Sequence, residues 1–168
     1  MLGQGRVATL TCIGTPHLGS PVASLVNVFN PFHLLSVTPI RGIEHFEDVR
    51  AELNAVDDLA VDGARAINET CRDLTDGTRY FEIAGIGRPN GTSSAFFAIP
   101  FSLLTLAGVQ NDGVVPFESA TRGRTPLEIW AGDHADLVGH DLDRPPLFQS
   151  ASFDHLPRYE SVVRKAAI

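Results

Sequence analysis

Three short runs rich in apolar and β-branched residues are spaced along the chain, and turn-forming residues border them. They occupy residues 7–13 (VATLTCI), 79–85 (RYFEIAG) and 126–131 (PLEIWA). Their length and their borders predict β-strands, the first of them a central strand of a sheet. Because long stretches with helical patterns separate the strands, the sheet is expected to be parallel, in an α/β fold.

Helical patterning is clearest in two segments, residues 56–71 and residues 156–167. The first segment begins with Asp57 and Asp58, which favour the N-terminal end of a helix because of the helix dipole. Its apolar face is expected at Leu59, Asp62 or Gly63, Ala66 and Ile67, which are spaced by three to four residues. Both segments are predicted to flank the sheet.

Two further segments are apolar without a clear period. Residues 20–52 contain an apolar run at 22–29, after which prolines and a glycine interrupt the chain, and this pattern predicts a cap made of short helices. Residues 86–111 form a long insertion with an apolar patch at 96–106. Packing in the core is one explanation of either stretch.

The composition is that of an ordinary globular domain, with 168 residues, 43% of them hydrophobic and 20% charged. The net charge of -7 and the lack of any run of Lys or Arg argue against nucleic acid as a partner. No apolar stretch is long enough to span a membrane, and no signal-peptide pattern is visible, which leaves the localisation open. Cys12 and Cys71 fit no zinc motif and are expected to be buried free thiols rather than a disulfide.

Candidate chemistry lies in two loops, each after a predicted strand. Residues 111–116 (NDGVVP) contain Asp112, and residues 132–140 (GDHADLVGH) contain His134. Because the carboxyl ends of parallel strands lie at one edge of a sheet, the two side chains are expected to meet there. A carboxylate that orients an imidazole and stabilises the imidazolium is the acid–base part of a Ser-His-Asp triad. Taken alone, each residue is also typical of an ordinary turn or loop.

Four segments, in the same order along the chain, resemble segments of bacterial triacylglycerol lipases. Residues 11–21 (TCIGTPHLGSP) are similar to the family's T-x-I-G-T-P-H-x-G-[ST]-x loop, and residues 79–85 are similar to a later strand. The NDGVV segment is similar to the one that holds the triad aspartate, and residues 133–138 (DHADLV) to the one that holds the triad histidine. The resemblance implies a partial α/β-hydrolase fold, hydrolysis of lipid or other carboxylic esters, and Asp112 and His134 as catalytic residues. It also implies that the apolar stretches at residues 22–35 and 96–106 contact the acyl chain, an explanation as good as packing in the core.

The resemblance does not include the nucleophile, which the family places in a G-x-S-x-G elbow between a strand and a helix. This pattern does not occur in the sequence, and Ser20 matches a family position that is not catalytic. Residues 1–6 resemble the end of the helix that follows the elbow. Residues 1–168 are therefore expected to form the C-terminal half of the fold, with residues 20–52 as a cap and the N-terminal half as a missing partner.

Three hypotheses about function remain open. The chain is a fragment of an ester hydrolase that acts on acylglycerols, a binding or regulatory domain that kept the lipase scaffold, or one chain of a split hydrolase. In the first and third cases the chain alone is expected to be inactive, because the serine and the oxyanion donors beside it are missing.

The resemblance also raises the question of a metal. In the similar lipases a calcium ion braces the loop with the histidine, and Asp136 matches one of its carboxylate ligands. Calcium needs several oxygen ligands, yet residues 86–110, where a second carboxylate is expected, contain no Asp or Glu. No cofactor is therefore predicted, with calcium near Asp136 as the less favoured alternative to a capping or solvated Asp136.

The remaining histidines are expected to have structural or surface roles. His17 lies in the G-T-P-H loop and should support the site rather than transfer a proton. His140 is a second candidate base, although it follows the matched segment, and His33, His45 and His155 are predicted at the surface.

Overall fold

The computed structural model describes residues 7–28, 56–71, 77–88, 95–140 and 153–167. The strands are β1 (Thr9–Ile13), β2 (Arg79–Gly85) and β3 (Glu128–Trp130). The helices are α1 (Pro21–Val28), α2 (Val61–Thr70), α3 (Ala95–Leu106), α4 (Phe117–Thr121), α5 (His134–Leu137) and α6 (Leu156–Ala166). Of the predicted cap at residues 20–52, the part after residue 28 lies outside the described residues.

The strands form one parallel sheet in the order β1-β2-β3, which confirms the predicted α/β fold with three parallel strands. The central position expected for β1 needs a strand on each side and stays a prediction, because a second neighbour is absent from the part of the chain that the structure describes. There β1 pairs only with β2 and lies at the edge of the sheet, and Leu10 on it is 39% exposed. Its outer edge therefore offers backbone groups with which another strand could pair.

Buried side chains cover both faces of the sheet, as a parallel sheet requires. Ile83 and Ala84 are successive residues of β2, so their side chains point to opposite faces. The clusters on the two faces consist of Ile83, Trp130, Leu137 and Val162 and of Ala84, Val115 and Ala120, respectively. The first cluster joins the sheet to α6, and the second joins it to α4.

The helix predicted at residues 56–71 is divided in two. A helical turn covers residues 56–59, Ala60 is extended (φ -68°, ψ 163°), and α2 follows. The first turn lies directly against Gly63, where a Cβ atom would be 2.0 Å from the Asp57 carbonyl oxygen. Only glycine permits this close contact between the preceding turn and α2.

The apolar face predicted for this helix is wrong as a consequence. Leu59 and Ile67 are 45% and 42% exposed, whereas the small residues Ala60 and Ala64 are buried. The segment therefore packs through small side chains, which allow its backbone to approach the neighbouring elements closely.

The insertion at residues 86–111 contains α3, a helix that the sequence did not indicate. Its residues are apolar on nearly every side, which removes the helical period, and Pro100 lies inside it. Phe97 is buried, whereas Ile99, Leu103 and Leu106 are 72%, 57% and 85% exposed. Even α3 is too short to cross a membrane, and no other helix within the described ranges has the required length and apolarity.

The two cysteines have different environments. Cys12 on β1 is partly buried, and Cys71 is exposed, so the expectation of a buried thiol is wrong for Cys71. Cys71 follows the last residue of α2 and lies beyond the turns of that helix that pack against other elements.

Glu128, at the start of β3, fixes α6 to the sheet. Its Oε1 atom accepts hydrogen bonds from Ser161 Oγ and Lys165 Nζ, and its Oε2 atom accepts one from Trp130 Nε1, all at 2.7 Å. Burial opposes the negative charge, but these bonds outweigh it and lower the pKa of Glu128 from 4.5 to about 2. The charged carboxylate therefore stabilises the fold above pH 4.5, and this contribution is lost as the pH falls through about 2.

The substitution Glu128→Gln should lower the free energy of unfolding at neutral pH by about 1–3 kcal/mol, because charged hydrogen bonds are lost. The difference from the wild type should shrink in acid as the wild-type carboxylate becomes protonated. Urea unfolding at neutral and acidic pH measures both effects. The control Glu160→Gln removes an exposed ion pair with Arg164 and should change stability by less than about 0.5 kcal/mol; equal losses in the two variants would contradict the role of Glu128.

Candidate active site

The loop between α3 and α4 holds the Asp112 carboxylate in one orientation. Asp112 is 1% exposed, and its Oδ1 atom accepts hydrogen bonds from the backbone N–H groups of Val114 and Val115 at 3.0 and 2.7 Å. Asn111 closes the turn by accepting a bond from Gly113 N at 2.8 Å, and Gly113 has a φ of 97° that favours glycine. The Oδ2 atom of Asp112 is thereby directed toward the next loop.

His134 is the first residue of α5, and a capping box fixes the start of that helix. The Asp133 side chain accepts bonds from the N–H groups of Ala135 and Asp136, and the Asp136 side chain accepts one from Asp133 N. His134 N donates to the Asp112 carbonyl oxygen at 2.9 Å, which joins the two loops. His134 Nδ1 lies 2.8 Å from Asp112 Oδ2, so the predicted contact is confirmed.

The environment of the pair favours a charged imidazolium. Burial of the ring opposes the charge, but the hydrogen bond and the charge of Asp112, together with the charge of Asp133, outweigh burial and raise the pKa of His134. Because Nδ1 faces Asp112, Nε2 is the nitrogen that can exchange a proton with a reacting group. The charged His134 imidazolium therefore stabilises the fold at pH values below the pKa that the histidine has in the unfolded chain. This contribution is lost as the pH rises through the pKa of His134 in the folded chain.

Glycines at the ends of β1 and β2 allow the pair to lie directly against the sheet. At Gly14 (φ +58°) a Cβ atom would lie 3.5 Å from both Asp112 Oδ2 and His134 Nδ1 and 2.6 Å from Leu137 Cδ1. At Gly85 a Cβ atom would lie 2.9 Å from the Asp112 Cβ. The pair is therefore at the carboxyl ends of the strands, where α/β sheets place their functional loops.

Arg88, just after β2, braces the helix that carries His134. Its Nε and Nη2 atoms donate to Oδ2 and Oδ1 of Asp136 at 3.0 and 2.7 Å, and Asp133 N donates to the same Oδ2 at 2.8 Å. A two-point pair between a guanidinium and a carboxylate is among the stronger side-chain interactions, and the Asp136 side chain is only 4% exposed. Sequence reasoning missed Arg88, because a single arginine 48 residues from its partner leaves no local pattern.

The side chains around Asp136 do not fit a calcium site. The Arg88 guanidinium occupies the side of the carboxylate that a cation would need, and both carboxylate oxygens already accept hydrogen bonds. The positive charge of the Arg88 guanidinium would repel a calcium ion beside Asp136, and calcium requires several further oxygen ligands. Asp136 therefore caps α5 and pairs with Arg88.

The substitution Arg88→Met should lower the free energy of unfolding by about 2–3 kcal/mol, because the buried Asp136 carboxylate loses both charged hydrogen bonds from the guanidinium. Thermal unfolding followed by circular dichroism measures the loss, and millimolar calcium should leave the wild-type melting temperature unchanged. The control Arg65→Met removes an exposed pair with Asp62 and should cost less than about 0.5 kcal/mol. A clear increase of the wild-type melting temperature on adding calcium would contradict the conclusion that Asp136 pairs with Arg88 and does not bind calcium.

Two polar residues of the loop after β1 have structural roles. Ser20 is 1% exposed, and its hydroxyl donates to the Val114 carbonyl oxygen at 2.6 Å while accepting bonds from two N–H groups at the start of α1. His17 Nε2 lies 3.3 Å from Oε2 of Glu82 on β2. Both residues therefore attach the loop to neighbouring elements.

The other histidines lie apart from the Asp112–His134 pair or outside the described residues. His140 is exposed. His155 is partly exposed, and its ring packs edge-on against Tyr159 with centroids 5.7 Å apart and lies directly against Gly139. His33 and His45 are not among the described residues.

The fold is similar to part of a lipase of known structure. The crystal structure of Bacillus licheniformis lipase BlEst2 in mature form matches with a TM-score of 0.56 and 18% identity, over 96% of this chain and 56% of that chain. The propeptide form matches with a TM-score of 0.53 and 18% identity, over 96% of this chain and 30% of that chain. This chain thus spans about half of the mature lipase, and the likeness shows a partial α/β-hydrolase fold. No protein-family model and no curated protein sequence matches the chain.

Proposed function

We propose that this chain is the acid–base half of a serine hydrolase that acts on carboxylic esters, acylglycerols in particular. The observation that carries the proposal is the contact of 2.8 Å between Asp112 Oδ2 and His134 Nδ1. The buried carboxylate orients the imidazole and stabilises its charged form, while Nε2 stays available to a nucleophile. The serine and the oxyanion donors come from a segment outside residues 1–168, in the same polypeptide or in a separate chain.

In the proposed reaction, the serine hydroxyl attacks the ester carbonyl carbon as Nε2 of His134 takes its proton. The tetrahedral intermediate collapses, the C–O bond to the alcohol breaks, and the imidazolium returns the proton to the leaving alkoxide. Water then attacks the acyl-serine by the same route and releases the carboxylic acid. Asp112 stays ionised throughout and holds the imidazolium by charge and hydrogen bond.

Two features of the described residues support the proposal, one for the missing half of the fold and one for an apolar substrate. The outer edge of β1 has no strand partner within the described ranges, and a strand from the missing half would pair there. Ile99, Leu103 and Leu106 form an exposed apolar surface on α3, which leads into the loop of Asp112. A surface of this kind suits an acyl chain.

The proposal is tested by assaying p-nitrophenyl esters of short and long acids with this chain alone and after coexpression with the polypeptide encoded directly upstream. The chain alone should give only background hydrolysis. The joined protein, meaning this chain together with the upstream polypeptide, should give turnover that His134→Ala removes. The matched control His140→Ala changes an exposed histidine of the same loop and should retain activity. Turnover by the chain alone that His134→Ala abolishes would reveal an overlooked nucleophile, with Ser20 the first residue to replace. An inactive joined protein would favour the binding or regulatory domain.

A further inference from the structure

Away from the Asp112–His134 pair, three side chains with metal-ligating atoms converge between β1, β2 and the loop after β1. Cys12 is the register partner of Glu82 across the two strands, and His17 approaches them from the loop. The Cys12 sulfur, a ring nitrogen of His17 and a carboxylate oxygen of Glu82 all lie within 4.8 Å of one another. The cluster is on the face of the sheet that packs against α4, since Glu82 shares its face with Ala84.

The spacing of these atoms is close to that of a tetrahedral site. Zinc binds sulfur at about 2.3 Å and nitrogen or oxygen at about 2.0–2.2 Å, which places neighbouring ligand atoms roughly 3–4 Å apart. His17 Nε2 and Glu82 Oε2 are already 3.3 Å apart. The three donors therefore need to move by no more than about 1 Å to hold one ion between them.

A second observation concerns the Glu82 carboxylate. Its side chain is 3% exposed, and its Oε1 atom has no hydrogen-bond partner within the described part of the chain. Arg122 Nε, at 3.6 Å from Oε1, contributes charge but is too distant for a hydrogen bond. Burying a carboxylate oxygen without a hydrogen bond destabilises the fold. Binding of a metal ion by Glu82, or a shorter ion pair with Arg122, would remove this destabilisation.

We propose that Cys12, His17 and Glu82 bind one divalent transition-metal ion of the zinc type. A thiolate, an imidazole and a carboxylate together suit zinc or cobalt better than calcium or magnesium, which prefer oxygen ligands alone. One carboxylate oxygen binds the ion, the other pairs with Arg122 in the surrounding shell, and water completes the coordination. The Cys12 thiol releases its proton to solvent when the ion binds.

The ion fastens the G-T-P-H loop to β2 without taking part in ester chemistry. Gly14 at the start of this loop lies against the Asp112–His134 pair, so the site also steadies one wall of the candidate active site. The proposal does not depend on the proposed hydrolase function, because the three ligands and the ion pair with Arg122 involve neither Asp112 nor His134.

The test uses the untagged chain, stripped of metal and titrated with Co²⁺ and Zn²⁺. One equivalent of Co²⁺ should bind and give the near-ultraviolet charge-transfer band of a cobalt–thiolate bond, and one equivalent of Zn²⁺ should remove the band and raise the melting temperature. Cys12→Ser should abolish the band, and His17→Gln should weaken binding at least about tenfold. The matched control Cys71→Ser replaces the exposed cysteine and should behave like the wild type.

Circular dichroism of each metal-free variant shows whether it has folded, and Glu82→Gln serves as a second ligand variant for the affinity measurement. The proposal is overturned if the folded wild type binds no cobalt, if binding lacks the thiolate band, or if Cys12→Ser keeps the band. Loss of the band in Cys71→Ser would place the thiolate at the other cysteine and would equally overturn it.

Discussion

Asparagine in place of Asp112 should lower kcat of the proposed hydrolase, joined to its missing half, by about ten-thousandfold while leaving KM nearly unchanged. The side-chain oxygen of the substituted amide can still accept the bonds from the N–H groups of Val114 and Val115, so the loop keeps its shape. The amide nitrogen would replace Oδ2 and would donate to His134 Nδ1, which leaves the proton on Nε2. An imidazole with its proton on Nε2 cannot accept one from the serine.

Steady-state kinetics with the joined protein measure this effect, and mass spectrometry confirms that expression has not deamidated the new asparagine. Asp62→Asn is the matched control, because the Asp62 side chain on α2 is 92% exposed and pairs only with the exposed side chain of Arg65 among the described residues. It should retain wild-type kcat. A loss of less than about tenfold for Asp112→Asn would mean that the carboxylate does not orient the catalytic base.

The substitution Trp130→Ala should lower the free energy of unfolding by about 3–5 kcal/mol, the largest loss expected from a single change in the core. Trp130 is 0% exposed, and its ring meets Tyr159 edge-on at 5.7 Å and Phe153 at 6.2 Å. Its Nε1 atom also donates to Glu128. Truncation leaves a cavity between β3 and α6 and removes one of the bonds that keep Glu128 charged.

Urea unfolding of the wild type and the variant gives the size of the loss. Ile129→Ala is the matched control, because the neighbouring side chain of the same strand is 51% exposed. It should cost no more than about 1 kcal/mol, and a similar cost for both variants would show that the core is not built around Trp130. The Trp130→Ala chain should also lose part of its acid resistance, since the pKa of Glu128 would rise toward 4.5.

The sheet and the Asp112–His134 contact could be predicted because each depends on a local signal. Short apolar runs between breakers identify parallel strands, and the carboxyl ends of such strands share one edge. Asp112 and His134 follow consecutive strands, so the topology alone brings their loops together. The side-chain distance then follows from the backbone bond between His134 N and the Asp112 carbonyl oxygen.

The features that could not be predicted are of two kinds. One is a helix whose apolar residues show no helical period, and the other is a contact between residues that are not neighbours along a regular element. The α3 helix is apolar all round and contains Pro100, so no amphipathic period indicates it. The break at Ala60 accompanies a close contact of the preceding turn with Gly63, and the helical spacing of the sequence does not indicate it. The pairing of Arg88 with Asp136 requires the fold itself, because nothing near either residue in sequence indicates the partner.

The most direct test of the central claim, that Asp112 and His134 form a catalytic acid–base pair, is a pH titration of the His134 ring by ¹⁵N NMR in this chain. The claim predicts a neutral form with its proton on Nδ1 and a pKa above the ordinary 6.5, because the Asp112 hydrogen bond and charge outweigh burial. Asp112→Asn should lower that pKa and move the proton to Nε2. A His134 that titrates at 6.5 or below, with its proton on Nε2 in the wild type and no response to Asp112→Asn, would contradict the claim.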